Sequence, residues 1–313
     1  MDRAPKKNMG ASVRTRLLAL ARERKEDFNW VLTRYALERF LYRLSCSEHS
    51  DQFVVKGAML FTAWLPAAMA HRPTRDLDLL GRGTPNEKRL ETIFREVCKA
   101  SVADDGISFD TDTVKVTSII PQEKYQGIRV ELFGEVASAK IKVQVDVGFG
   151  GAVSPAPVLM TFPTLLSFES PTMKGFRRET SIAEKFQAMV DLGITNGRMK
   201  DFFDIALLAR NFEFEAEDLW RAIAQTFARR KTPIPKEVPL ALTPEFSDAS
   251  KQRQWGFFVR RSLGGSYQSS LTLPDAVTEI RVFLWPLCQK AEQAPRQGQW
   301  QPGGPWRFRP PTS

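Results

Sequence analysis

TRDLDLL, residues 74–80, is the stretch on which the reading of this chain turns. In an extended strand, residues two apart project to the same face, so Asp76 and Asp78 stand side by side while Leu77 and Leu79 face the other way. Two like charges so placed repel each other unless a cation binds them. The same pair also fits a solvated edge strand or a surface turn, and the neighbouring sequence has to separate these readings. Upstream, FVVKG (53–57) is a short apolar strand closed by glycine, followed by an apolar helical segment, AMLFTAWL, and a proline-containing loop, HRPTR. Strand, helix and strand predict an α/β unit. Downstream, AKIKVQVDVGFG (139–150) alternates: Ile141, Val143, Val145 and Val147 face one way, Lys140, Lys142, Gln144 and Asp146 the other. Asp146 is thereby a third carboxylate on the polar face of a strand with a central pattern.

Gly57 falls where strand gives way to helix. There, backbone N–H groups and the helix dipole can receive phosphate oxygens without side-chain obstruction, although a turn glycine would look the same. Glycine turn, paired carboxylates and a third strand carboxylate together form the layout of two-metal phosphoryl transfer. In such sites carboxylates hold two Mg²⁺ ions about 3.5–4 Å apart, one acting on the attacking hydroxyl and one on the triphosphate.

The whole chain narrows the alternatives. Its 313 residues, 42% of them hydrophobic, suffice for about two domains. Forty-five basic against 36 acidic residues give +9, which favours an anionic partner such as nucleotide or nucleic acid. Cys46, Cys98 and Cys288 lack zinc or redox spacing and suit a reducing cytoplasm. With only His49 and His71, a His-rich metal site is excluded. No signal peptide or membrane-spanning apolar run is read.

Helical periodicity predicts two helices within 1–47, a strand-rich region over 48–165 with one helix near 86–100, a Pro-rich stretch at 154–172 running into a bridge at 166–177, helices at 179–192, 199–211, 217–229, 250–262 and 273–292 within a domain at 178–295, and a loose Pro- and Gly-rich tail at 296–313.

The segments FVVKGAMLFTAW, HRPTRDLDLLG, KVQVDVGFG, ETSIAEKFQAMVDLG and RMKDFFDIALLAR, in this order and spacing, resemble the AbiEii/AbiGii-type nucleotidyltransferase toxins of bacterial toxin–antitoxin systems, which include the MenT-type toxins. The resemblance runs from about residue 12 to 290. It implies a polymerase-β-like mixed sheet with flanking helices, a C-terminal α-helical domain, and a cleft holding NTP and Mg²⁺. The implied reaction is transfer of NMP from an NTP to an acceptor hydroxyl with release of pyrophosphate. Some members modify the 3′ end of tRNA and so block translation, and the family pairs its toxins with antitoxins, typically of winged-helix type.

Carried over by position, the metal ligands fall on Asp76, Asp78 and Asp146, with Thr74 at the small hydroxyl position before them. Lys56, Gly57, Ala58 and Arg75 fall around the nucleotide; Ala58 stands where the motif often has Gly or Ser, so only its backbone N–H remains for phosphate. The A-E-K motif falls on Ala183, Glu184 and Lys185, which makes Lys185 the candidate triphosphate-holding charge, and the following helix supplies Lys200, Asp201 and Asp204. A lysine at the margin of the apolar stripe Ile182, Phe186 and Met189 fits that role and also fits a surface lysine.

Asp201 and Asp204 share a helix face. They fit either a salt-bridged surface, with Lys200 and Asp204 paired, or groups that orient Lys185 or Arg198 and contact nucleotide. Arg72 is a further phosphate candidate. Basic clusters at 228–236, Arg260–Arg261 and Arg307–Arg309, near Trp255, Phe257 and Phe258, fit RNA ends or ordinary helix surfaces. A protein or small-molecule acceptor, and a catalytically silent RNA- or partner-binding module, are the alternatives to a tRNA-modifying enzyme.

Overall fold

A computed structural model describes residues 8–66, 73–119, 127–151, 153–262, 271–289 and 297–308. The chain divides into two compact units, Met1–Gly150 with Val158–Gly175 and Gly151–Pro157 with Phe176–Ser313.

In the first unit, helices α1 (Met9–Arg24) and α2 (Phe28–Cys46) precede β1 (Phe53–Lys56), the short α3 (Leu60–Trp64), β2 (Asp76–Gly81), α4 (Glu87–Cys98), β3 (Ile107–Ile119), β4 (Gly127–Val136), β5 (Ala139–Phe149), β6 (Val158–Thr161) and β7 (Thr172–Gly175). Among the described residues these strands form one mixed sheet in the order β3-β4-β5-β2-β1-β7-β6. β2 runs parallel to β5 and antiparallel to β1. Period-two alternation sorts the faces. Leu77, Leu79, Ile128, Val130, Leu132, Val143, Val145 and Val147 are all buried, each worth about 1.5–3 kcal/mol on removal from water.

Helices α2 and α4 cover that apolar face. Phe40 stacks on Phe94 with ring centroids 5.6 Å apart and meets Phe109 edge-on, and Phe53 closes on Phe94 from the strand side. α2 starts where Asp27 accepts from the backbone N–H groups of Asn29 and Trp30, satisfying two donors of its first turn. Arg39 and Arg43 both donate to Asp105, and Glu38 Oε2 accepts from the Leu165 N–H at 2.7 Å while its other oxygen is buried without a hydrogen bond.

The second unit contains α5 (Arg178–Leu192), α6 (Met199–Asn211), β8 (Phe214–Glu215), α7 (Ala216–Arg229), α8 (Ala249–Ser262), α9 (Leu273–Cys288), β9 (Gly298–Trp300) and β10 (Trp306–Phe308). α9 begins with a capping box between Thr272 and Asp275.

Two sequence-based expectations are corrected. The bridge at 166–177 contains β7, which joins the sheet beside β1. Pro171 stands just ahead of β7 and offers its carbonyl to the Phe162 N–H, so its missing N–H interrupts no strand ladder. The tail at 296–313, expected to be loose, supplies β9 and β10. Trp300 and Trp306 bury their rings against Phe283 and donate their indole N–H groups to the carbonyls of Ala209 and Phe283. Large aromatic area with a satisfied N–H outweighs the loop-forming composition around it. Arg309 lies outside the described residues.

Candidate active site

Strand register aligns four charged side chains on the polar face of the sheet. Lys56 of β1 lies opposite Asp78 of β2, Asp78 beside Asp146 of β5, and Asp146 opposite Arg129 of β4. One step along, Asp76 lies beside Gln144, which faces Glu131. Asp76, Asp78 and Asp146 are half-buried.

Local contacts fix each member. Thr74 Oγ1 donates to Asp76 Oδ1 at 2.7 Å, which positions the first carboxylate. Gly57 has φ +71°, and a β-carbon there would lie 2.0 Å from Asp78 Oδ2. The glycine is therefore required by backbone conformation and by the Asp78 carboxylate together. The helix expected directly after it is a 3-10 turn, Gly57–Met59, followed by only five residues of α3, too short a helix for the dipole to be invoked. Ala58 is buried beside it, and the Lys56 amine stands over Gly148 of β5.

Arg75 is exposed, with its guanidinium 4.1 Å above the ring of Trp30. Arg72 lies outside the described residues.

Asp146 is engaged by a residue that sequence reasoning missed. Nε and Nη2 of Arg129 each donate to one of its oxygens at 2.8 Å. This hydrogen-bonded pairing, against the opposing pull of partial burial, raises the guanidinium pKa above its usual value. The signal for it was present: β4 and β5 are joined by a tight turn between Val136 and Ala139, and counting back seven residues on each strand pairs Arg129 with Asp146.

Three carboxylates are an all-oxygen donor set of the kind that suits a hard cation such as Mg²⁺. Asp76, Asp78 and Asp146 share the sheet face such an ion would use, and at Asp146 the ion would compete with Arg129. Among the described residues the one group of three His, Cys, Asp or Glu side chains whose ligand atoms lie within 4.8 Å of one another is Glu48, His49 and Glu96. There His49 Nδ1 accepts from Gln52 Nε2 and Nε2 donates to Glu96, leaving the ring no lone pair for a metal.

In the second unit, Lys185 of α5 donates to Asp201 Oδ1 and reaches Asp204 Oδ2, both at 2.8 Å, while Arg198 meets the other oxygen of Asp201 at 2.7 Å. Both aspartates are fully buried, so the salt-bridged surface reading of α6 is overturned; Asp204 turns inward to Lys185, and Lys200 is exposed. Burial alone would raise the Asp201 pKa, but Lys185 and Arg198 hold it below the ordinary value. Glu184 pairs with Arg229, and Arg230 donates to Gln187, which ties two of the 228–236 cations into the unit's own structure. Trp255 is buried and donates to the Leu271 carbonyl; Phe257, at 65% exposed, is the aromatic of α8 that faces solvent.

Carboxylates sharing a sheet face beside a glycine-cleared backbone are an arrangement suited to phosphoryl transfer. The chain belongs to the AbiEii nucleotidyltransferase toxin family of type IV toxin–antitoxin systems, whose family model matches residues 39–272. It is accordingly a nucleotidyltransferase by family, and the family implies an antitoxin partner. Similar solved structures include JHP933 from Helicobacter pylori and another H. pylori chain assigned as a nucleotidyltransferase. Each is 16% identical with a TM-score of 0.44; they cover 81% of this chain and 90% and 92% of their own, a likeness too distant to carry function. No curated protein matches the chain. None of the described helices is long and apolar enough to cross a membrane.

Proposed function

We propose that this chain transfers the nucleoside monophosphate of an NTP to an acceptor hydroxyl, the 3′-OH of a tRNA, releasing pyrophosphate and so blocking translation. The observation that carries the reading is the set Asp76, Asp78 and Asp146 on one sheet face, with Gly57 leaving room for Asp78. Asp76, Asp78 and Asp146 would hold Mg²⁺, which supplies neutralisation of phosphate charge when bound. The new bond forms between the acceptor oxygen and the α-phosphorus as the bond to the β-phosphate oxygen breaks. The protein's own part is positioning and charge. Lys56 and Arg75 offer cations beside the carboxylates, and Lys185 is the triphosphate-holding charge suggested by the family. A +9 chain suits an RNA acceptor. We place its action in the cytoplasm, under a winged-helix antitoxin.

The test supplies the purified protein with labelled NTPs and Mg²⁺ alongside fractionated RNA, protein and metabolites, and sequences RNA 3′ ends after brief induction in a bacterium. Label is expected in tRNA, and Asp76→Ala or Asp78→Ala should lose on the order of a thousandfold in rate while staying folded. Label in protein or metabolites alone, or growth arrest that persists in the Asp78→Ala strain, would overturn the tRNA reading.

A further inference from the structure

The polar face of β5 continues away from the carboxylates as Asp146, Gln144, Lys142 and Lys140, and both lysines are exposed. β2 enters the sheet at Asp76, opposite Gln144, so among the described residues the earlier part of β5 has no partner strand on that side. A groove of about 540 Å³ occupies this place, lined by Lys140, Lys142 and Gln144 together with Arg75 and the Trp30 end of α2. The groove lies within the first unit and shares Gln144 with the carboxylate rows.

We propose that this groove is the track for the single-stranded 3′ end of the RNA acceptor; the proposal rests on the RNA reading above. Three features of the groove match that occupant. Its charged side chains are three cations against Asp27, and Asp27 already caps α2. Alternate residues on a strand recur about every 6.6 Å, comparable to the spacing of successive phosphates in an extended single strand. With the terminal hydroxyl at the carboxylates, Lys142 and Lys140 would meet phosphates about two to three nucleotides back. Trp30 supplies a ring at the rim, and the Arg75 guanidinium, 4.1 Å from the ring centre, puts a cation in the same place. Aromatic and guanidinium planes beside a basic strand are how single-stranded RNA is held by stacking and phosphate contact. Lys142 already has Glu131 at 2.6 Å, so Lys140 carries more of the attraction.

The experiment measures binding of a fluorescent single-stranded RNA with a blocked 3′ end across a salt series, extension of the same RNA with a free 3′ end, and binding of a fluorescent NTP. It compares the wild type with the double variant Lys140→Ala/Lys142→Ala and with Trp30→Ala and Trp30→Phe. The double variant should bind RNA about tenfold more weakly at 0.1 M salt. Its slope of log affinity against log salt should fall by about 1.4, two phosphate contacts at ~0.7 each. NTP binding should stay unchanged. Trp30→Ala should weaken RNA binding about tenfold, with Trp30→Phe restoring most of it.

If the wild type extends RNA and the lysine variant binds and extends it equally well, the groove assignment alone is overturned. If the wild type modifies a protein or small molecule and neither binds nor extends RNA, the RNA reading falls and the groove assignment with it. Shielding of Lys140 and Lys142 from amine labelling by the antitoxin but not by RNA would assign the groove to a protein partner instead.

Discussion

Asp78 Oδ2 sits where the side chain of residue 57 would begin: a β-carbon built on Gly57 would lie 2.0 Å from it. Gly57→Ala therefore has two consequences. The positive φ costs about 1–2 kcal/mol for a residue with a β-carbon, and the Asp78 carboxylate must move. The melting temperature should fall by a few degrees, whereas nucleotide incorporation should fall by a hundredfold or more, because an ångström of displacement at a reacting centre is that costly. Thermal melting and single-turnover incorporation check this together. Near-normal incorporation in a folded Gly57→Ala protein would detach Asp78 from the chemistry.

Arg129 and Asp146 make the second prediction. A bidentate guanidinium engages both carboxylate oxygens, so a cation that uses Asp146 competes with it for their charge and lone pairs. The arginine side chain is 39% exposed, which limits the pair to about 1 kcal/mol or less. Arg129→Ala should accordingly tighten Mg²⁺ binding in the absence of nucleotide by about twofold to fivefold, with Mn²⁺ titration as an independent readout. Unchanged or weaker binding in that variant would remove Asp146 from the ligand set.

The sequence shows Asp76, Asp78 and Asp146 plainly because a strand's period of two makes the sharing of a face a matter of counting. The same counting across the β4–β5 turn reaches Arg129, but only once the turn is taken as the origin of the register. Lys185 with Asp201 and Asp204 is harder to read. Aspartates three apart on a helix look like a wet surface, and only packing of α5 against α6 shows that they face inward. Thr74 illustrates a different limit, since its position is legible while the atom it bonds is not. The tail misleads because proline and glycine dominate its composition while two tryptophans dominate its energetics.

Glu38 gives a pH dependence. Burial, against the Leu165 N–H and Arg39, pushes its carboxyl up to about 7. A folded value above the unfolded one means that Glu38 is most favourable below about pH 4. That contribution is lost as pH rises through about 7. Glu38→Gln, which keeps an oxygen for the Leu165 N–H, should match the wild type near pH 4–5 and be more stable by about 3 kcal/mol at pH 8. Denaturant unfolding at several pH values checks this; a difference that does not grow with pH would show that Glu38 is not held neutral.

Lys185 is both the proposed triphosphate-holding charge and the counter-ion of two buried carboxylates, and the two roles have to be separated. Removing one partner of a buried ion pair leaves an uncompensated charge and costs about 3–5 kcal/mol. Lys185→Ala should therefore lower stability far more than Arg198→Ala, since Arg198 is 40% exposed and Lys185 stays on Asp201 in its absence. Asp201 is held below its ordinary value, so its contribution is complete above about pH 4 and is lost as pH falls through the lower folded value. Asp201→Asn should lessen the steepness of acid unfolding. The activity question then belongs to variants that stay folded. Lys185→Met combined with Asp201→Asn and Asp204→Asn removes the lysine without stranding a carboxylate, and Lys185→Arg keeps the charge but replaces a compact ammonium with a planar fork. If Lys185 holds the triphosphate, the triple variant should melt within a few degrees of wild type yet bind NTP at least tenfold more weakly, and Lys185→Arg should recover only part of that loss. Wild-type NTP affinity and turnover in the folded triple variant would confine Lys185 to holding α5 against α6.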